Sequence, residues 1–192
     1  MGKPVVIDVE TKKTFRDVGG VFPEKLGISV VGMYDYETDS FKAFFEKELN
    51  KFFPILERSS MIIGFNSSKF DLPALSSYYV GDISKMPQLD LMDEIKKSLG
   101  KRIALDEFAR ETLGTKKSGH GLLAVNYYNE GKFDKLAKYC LDDVKITKDL
   151  YEYGKKNGRI YFKGPFGRRE VVVNWKMVAN GEDRNINLTL PI

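Results

Sequence analysis

The sequence predicts an α/β protein: a sheet covered by helices, with a C-terminal β-hairpin. Three observations carry the prediction. Short β-rich apolar runs dominate the first third of the chain, at Lys3–Val9 (KPVVIDV), Leu26–Tyr34 (LGISVVGMY) and Met61–Phe65 (MIIGF). Helical spacings take over between Leu72 and Tyr153, so strands come first and helices then alternate with them. Two further β-rich runs, Arg159–Phe162 and Glu170–Trp175, flank Gly164-Pro165-Phe166-Gly167, which reads as a hairpin turn. The 192 residues suit one domain, at about 100–200 residues per domain, and we expect it at 1–155 with the hairpin and tail, 156–192, appended.

Each element has a local reason. Lys3–Val9 is a buried strand, and Thr11–Lys25 a loop, because charges, Gly19-Gly20 and Pro23 interrupt any period. Leu26–Tyr34 is the second strand and Asp35–Ser40 a turn. Phe41-Lys42 forms a brief third strand leading into a helix over Ala43–Glu57. After the Met61–Phe65 strand come a polar loop and a helix over Leu72–Tyr79. Helices follow at Leu89–Leu99 and Leu105–Leu113, the latter with Leu105, Phe108, Ala109 and Leu113 on one face and Gly114 as its stop. Lys116–Gly121 (KKSGHG) is a basic loop. Phe133–Tyr153 is the longest helix, with Leu136, Cys140 and Val144 spaced four apart.

Composition narrows the function. An apolar fraction of 42% is too high for a disordered chain, and no apolar run nears the roughly 20 residues of a membrane helix. Met1-Gly2-Lys3-Pro4 begins no signal peptide, Val6 stands where myristoylation wants Ser or Thr, and Cys140 is the single cysteine. The expected setting is therefore intracellular, in the cytoplasm, with no membrane partner. A formal charge of +4, from 31 basic and 27 acidic residues, suits a polyanion or simply a soluble surface. The single His120 excludes a multi-histidine zinc site, leaving carboxylates and hard ions such as Mg²⁺ or Mn²⁺.

Three segments place acids side by side. Asp8 and Glu10 are two apart at the end of the first strand and share one face. Asp71 closes Asn66-Ser67-Ser68-Lys69-Phe70-Asp71, just past the MIIGF strand. Tyr139 and Asp143 stack four apart in the long helix, about 100° from the Cys140–Val144 stripe and hence at the rim of its buried face. The sequence holds decoys too: Asp35-Tyr36-Glu37-Thr38 repeats the first pattern within a turn, and Tyr78 and Asp82 repeat the third across Gly81. Alone, each pattern is a solvated strand end or helix face; the three in order argue for one site. Crowded carboxylates repel and resist desolvation unless cations neutralise them. Two divalent ions about 3.5–4 Å apart remove that cost and form a device for phosphodiester cleavage, with a tyrosine hydroxyl beside it to aim the water.

At these residues the sequence resembles the DnaQ-like 3′–5′ exonucleases, the DEDD group of the ribonuclease H-like superfamily. The motifs are Asp8-x-Glu10, Asn66-x3-Phe70-Asp71 and Tyr139-x3-Asp143, the tyrosine marking the DEDDy subgroup. Phrases such as IIGFNSSKFDLPAL and YCLDDV are similar to the proofreading exonuclease domain of family B DNA polymerases, in a stand-alone form, over about residues 3–155. The resemblance implies a mixed five-stranded ribonuclease H-like sheet flanked by helices. It implies that Asp8, Glu10, Asp71 and Asp143 bind two divalent ions, Mg²⁺ or Mn²⁺, and that Tyr139 orients the water. Thr11, Asn66 and Phe70 would hold the terminal nucleotides. The implied activity is 3′–5′ hydrolysis of single-stranded nucleic acid, DNA favoured over RNA, to nucleoside monophosphates. The chain ends at Ile192 without a polymerase domain, so a polymerase or helicase partner would act in trans. A non-catalytic nucleic-acid-binding module and a structure-selective endonuclease are the alternatives.

Other groups have a structural reading beside the functional one. Lys116, Lys117 and His120 suit a phosphate-contacting loop or a solvated basic turn. Cys140 is expected as a small core residue. For Tyr127, Tyr128, Phe162 and Trp175, core packing is preferred to base stacking. Asp90 is expected as a helix N-cap, with support of a metal site as its other role. Ile186, Leu188, Leu190 and Ile192 alternate as an edge strand or a partner-docking tail would.

Overall fold

The computed structural model describes residues 2–116, 119 and 122–175. Lys117, His120 and the alternating tail at 186–192 lie outside the described residues. Among those described, five strands form one mixed sheet in the order β3-β2-β1-β4-β5. These are β1 (Val5–Thr11), β2 (Ile28–Asp35), β3 (Ser40–Phe45), β4 (Ile62–Gly64) and β5 (Gln88–Asp90). β1, β2 and β3 pair antiparallel, while β4 runs parallel to both β1 and β5. The expected mixed five-stranded sheet is present.

The helices are α1 (Leu49–Arg58), α2 (Asp71–Ser76), α3 (Leu91–Leu99), α4 (Leu105–Phe108), α5 (Leu122–Asn129) and α6 (Phe133–Asn157). β1 is apolar on both faces until Asp8, and its alternation divides the core. Val5, Ile7 and Val9 pack with Phe52 and Leu56 of α1 and Leu72 and Leu75 of α2. Val6 packs on the other face with Val144 and Leu150 of α6. Asp8 and Glu10 continue the Val6 face and so point towards α6.

Several boundaries differ from those read in the sequence. β3 runs on to Phe45, so the helix expected from Ala43 begins at Leu49; pairing with β2 continues to Val30↔Phe45 and holds Phe44 in the core. The helix expected from Leu89 begins at Leu91, because Gln88–Asp90 is taken into the sheet beside Ile62–Gly64. Three residues are too few to show a period of two, which is why this strand was hidden. The helix expected at 105–113 is α-helical only to Phe108 and continues as a π-turn over Ala109–Leu113, ending at Gly114 with φ +67°. The helix α5 had no counterpart in the sequence reading; its apolar residues lack a clear helical stripe.

The hairpin forms as β6 (Arg159–Gly164) and β7 (Gly167–Val172), joined by Pro165-Phe166. Ile160, Phe162, Val171, Val173 and Trp175 enter the same core as Val6 and Ile63. Trp175 stacks on Tyr151 at 6.2 Å, and any Cβ on Gly154 would strike its ring at 2.2 Å. Phe162 and Trp175 are therefore core residues, as expected, and so is the buried Cys140.

Both decoys resolve into local structure. Asp35 accepts hydrogen bonds from Glu37 N (2.9 Å), Thr38 Oγ1 (2.9 Å) and Lys42 Nζ (2.7 Å). Asp82 is exposed and accepts from Ser84 N at 3.1 Å, while the Tyr78 hydroxyl donates to Glu46. Burial raises the Asp35 pKa, but Lys42, Thr38 and the Glu37 N–H outweigh it and hold the carboxyl below its ordinary value. A depressed carboxyl stabilises the fold above its unfolded-state pKa of about 3.9 and loses that contribution as pH falls through the folded value. Urea titrations should therefore find Asp35→Ala about 1–3 kcal/mol less stable at pH 7, with the gap closing towards pH 2. A gap independent of pH would refute the charge-based account.

Candidate active site

The chemistry-bearing side chains meet where β1 outruns its neighbour. β4 pairs with β1 only at Val5↔Ile62 and Val6↔Ile63, so beyond Ile7 the β4 side of β1 is open. Asp71 fills that gap: its Oδ1 accepts the Val9 N–H at 2.8 Å. On the sheet face below α6, carboxylate oxygens of Asp8, Glu10 and Asp143 lie within 4.8 Å of one another. Glu10, Asp71 and Asp143 are buried and Asp8 is half-buried. Burial first, and then the charge of Asp8, push the Asp71 carboxyl well above its ordinary pKa, against the opposing Val9 hydrogen bond.

The helix reaches this close because β2 carries a glycine opposite Asp8. Asp8 pairs with Gly32 in the ladder, and a Cβ on Gly32 would lie 2.8 Å from both Cys140 Sγ and Val144 Cγ2. The Cys140 thiol sits 3.3 Å from the Asp8 carbonyl oxygen, tying α6 to β1 one turn before Asp143. Burial, followed by Asp8, Glu10 and Asp143, raises the Cys140 pKa well above the usual thiol value, so it packs as a neutral group. Asp142, next in the chain, turns outward and pairs with Lys138 at 2.8 Å. Selection of Asp143 over Asp142 thus follows from which side of α6 faces the sheet.

A cavity of about 400 Å³ opens over these acids. Its lining includes Asp8, Glu10, Asp71 and Asp143, together with the expected Thr11, Asn66 and Phe70. Tyr139 lies outside that lining. It is buried in the α6 face with Val30, Ala124 and Leu136. Lys116 is exposed and also outside the lining, and Lys117 is outside the described residues.

Several lining or supporting residues carried no signal in the sequence. Phe15, from the Thr11–Lys25 loop, meets the Phe70 ring edge-to-face at 5.9 Å. Leu122 and Val125 bring α5 to the cavity wall. The Asn66 side chain is held by the Arg102 guanidinium, and its backbone adopts φ +68°, a left-handed conformation that asparagine tolerates better than most residues. Gly32 was legible in principle, since a glycine inside an apolar strand marks a close approach.

Asp90 fills the expected role of helix N-cap and holds a neighbouring turn as well. As the N-cap of α3 it accepts from Met92 N at 2.9 Å and Asp93 N at 3.3 Å. The same carboxylate accepts from Asn66 N (2.8 Å), Ser68 N (3.0 Å) and Ser68 Oγ (2.7 Å). It therefore clamps the turn that delivers Asp71. A second recess, about 490 Å³, lies behind this clamp, but its charged groups include the paired Lys69–Asp93 and Lys97–Glu94, so it lacks the concentrated negative charge of the first.

The donor set is anionic and all oxygen, which fits a hard divalent cation and not a thiolate or imidazole metal. Asp8, Glu10 and Asp143 are the residues placed to hold it. Asp71, on the open side of β1, is engaged with the backbone and stands outside that trio.

A sequence profile of the RNase H superfamily matches residues 6–154. No functionally curated protein matches the chain. Among solved structures, the family B DNA polymerase of Pyrobaculum calidifontis aligns over 79% of this chain and 24% of its own, at 19% identity and a TM-score of 0.61. Trypanosoma brucei RNase D aligns over 79% of this chain and 57% of its own, at 16% identity and a TM-score of 0.56. The same enzyme in complex with RNA U12 gives 15% identity, 55% of its length and a TM-score of 0.56. The chain thus spans a quarter to a little over half of these proteins, and the likeness is one of fold.

Two substitutions test the supports of the site. Asp90→Ala should cost about 2–4 kcal/mol in urea unfolding, because a cap and a buried acceptor are lost together. Gly32→Ala should cost about 1–3 kcal/mol through overpacking against Cys140 and Val144. A neutral result for Gly32→Ala would mean that α6 is not seated on β2 as described. With most of the chain matched, and with the mixed five-stranded sheet and its flanking helices in place, the chain belongs to the RNase H superfamily.

Proposed function

We propose that the protein is a metal-dependent nuclease that removes nucleotides from the 3′ ends of single strands. The observation that carries this reading is the convergence of Asp8, Glu10 and Asp143 under an open cavity. Three carboxylates gathered with little solvent are costly unless the charge is neutralised, so the arrangement is built for cations. A bound divalent pair, Mg²⁺ or Mn²⁺, would lower the pKa of a water molecule and offset charge developing on a phosphodiester.

The chain's own groups have separable tasks in this reading. Asp8, Glu10 and Asp143 hold the metal. Asp71 completes the acidic set from the β4 side, where burial first and then the charge of Asp8 hold its carboxyl above the ordinary value. Phe70, braced by Phe15, offers a ring face for the terminal base, while Thr11 and Asn66 line the sugar-phosphate path. Tyr139, one turn from Asp143, orients the attacking water. Lys116 and Lys117 would contact the phosphates of the strand. We place this catalytic unit in residues 1–155, with 156–192 as its appended segment.

DNA is favoured as substrate over RNA in this reading, and the likeness to both a DNA polymerase and an RNase D leaves that choice to experiment. End-labelled DNA and RNA oligomers of one sequence, incubated with Mg²⁺ or Mn²⁺, should shorten stepwise from the 3′ end, DNA faster. Circular single strands should remain intact. Asp8→Ala and Asp143→Asn should each reduce the rate at least 100-fold. No shortening with either ion, or full activity in Asp8→Ala, would overturn the reading.

Metal binding has a readout independent of turnover. An ion that binds only the folded state at 100 times its Kd adds about 2.7 kcal/mol. Thermal midpoints should therefore rise on adding Mn²⁺, the rise should mostly vanish in Asp143→Asn, and Tyr139→Phe should keep it while slowing hydrolysis. Equal loss in both variants would contradict the division of roles.

A further inference from the structure

The hairpin β6–β7 bears a charge arrangement that the fold does not need. Its inner face supplies Ile160, Phe162 and Val171 to the core. By alternation, its outer face carries Tyr161 and Lys163 on one strand and Arg168 and Glu170 on the other. Lys163 stands directly opposite Arg168 in the register, and like charges so placed are destabilising. Arg159 takes up Glu170 at 3.3 Å. Among the described residues, no acid pairs with Lys163, Arg168 or Arg169; Arg169 stands opposite Phe162, on the other side of the strand from Arg168, yet is exposed and lies against Gly164 beside the tip.

Two features prepare this surface for a ligand. The Arg168 guanidinium lies 3.9 Å above the Tyr161 ring, which fixes a planar donor fork pointing outward. Phe166, at the two-residue tip, is 99% exposed, although a large apolar side chain there stabilises nothing in the fold. An exposed aromatic beside unpaired arginines and a lysine matches a nucleic-acid strand, whose phosphates take the cations and whose bases stack on the ring.

The surface also connects to the cavity. Asn66 lines the cavity and is held by Arg102; the preceding Lys101 lies 5.6 Å from the Phe162 ring, one residue before Lys163. Lys101 and Arg102 therefore link the cavity rim to the core-facing side of the hairpin, while Lys163 and Arg168 stand on its outer side. We propose that the hairpin is a second nucleic-acid contact, gripping the backbone of the strand whose 3′ end occupies the cavity. This rests on the nuclease reading for its occupant, and commits to nucleic acid over an acidic protein surface.

Fluorescence anisotropy with labelled dT24 in EDTA reads this contact without turnover, using the full chain. The triple substitution Lys163→Gln, Arg168→Gln and Arg169→Gln should weaken dT24 binding about tenfold or more at low salt. It should also flatten the log–log salt dependence by about 2, at roughly 0.7 per phosphate contact. Phe166→Ala should cost about fivefold more through lost stacking. An undiminished thermal midpoint marks the variants as folded. Neutralising Lys47, Lys51 and Lys85, exposed on the α1–α2 side of the sheet, controls for net charge and should leave the slope unchanged. Equal effects of the two triple substitutions, or dT24 binding unaltered by the hairpin changes (the result an acidic protein partner would give), overturns the proposal. Wild-type binding without strand shortening would instead defeat the nuclease reading and leave the hairpin contact standing.

Discussion

The close approach of Asp8, Glu10 and Asp143 is the constraint around which the site is arranged. Their oxygens lie within 4.8 Å of one another, in surroundings that remove much of the water that would screen them. A fold keeps such a cluster only if its framework is rigid enough to oppose the repulsion. Here the framework is the contact between α6 and the β1–β2 ladder. Gly32 removes a side chain at the crossing, Cys140 and Val144 fill the space, and the apolar stripe of α6 continues through Leu150 into the core. Each of those packing contacts also sets the position of Asp143 relative to Asp8.

The second support comes from the other side of β1. The early divergence of β4 frees the Val9 N–H, and Asp71 accepts it from the start of α2. The turn before α2 is closed by its own backbone, with Asn66 O accepting from Lys69 N (3.2 Å) and Phe70 N (3.1 Å), and is fixed to the sheet by Asp90 at the end of β5. That carboxylate serves as a helix cap and a loop clamp at once, and so couples the sheet edge to the cavity. Asn66 shows the consequence: a left-handed backbone residue held between Asp90, through its N–H, and Arg102, through its side chain.

Much of this was legible in the sequence because its signals are local. The Asp8-x-Glu10 pair sits on a strand with period two, and Asp143 on a helix with a clear apolar stripe, so the faces of these acids could be assigned before the fold was known, whereas Tyr139, expected at the same rim, is buried outside the cavity lining. The decoys at Asp35 and Tyr78 were separable for the same reason, by the turn residues around them. What stayed hidden depends on tertiary pairing. Gln88–Asp90 becomes a strand only because β4 lies beside it, and β3 extends to Phe45 only because β2 accepts it. Phe15 and α5 reach the cavity through loops without periodicity. The hydrogen bond from Val9 N–H to Asp71 depends on where β4 stops pairing with β1, which no linear pattern encodes.

The central claim concerns cations, and diffraction from crystals grown with Mn²⁺ tests it most directly. An anomalous peak within ligand distance of Asp8, Glu10 and Asp143 is the predicted result. Crystals that show no manganese there, or those three side chains turned apart from one another, would contradict the account.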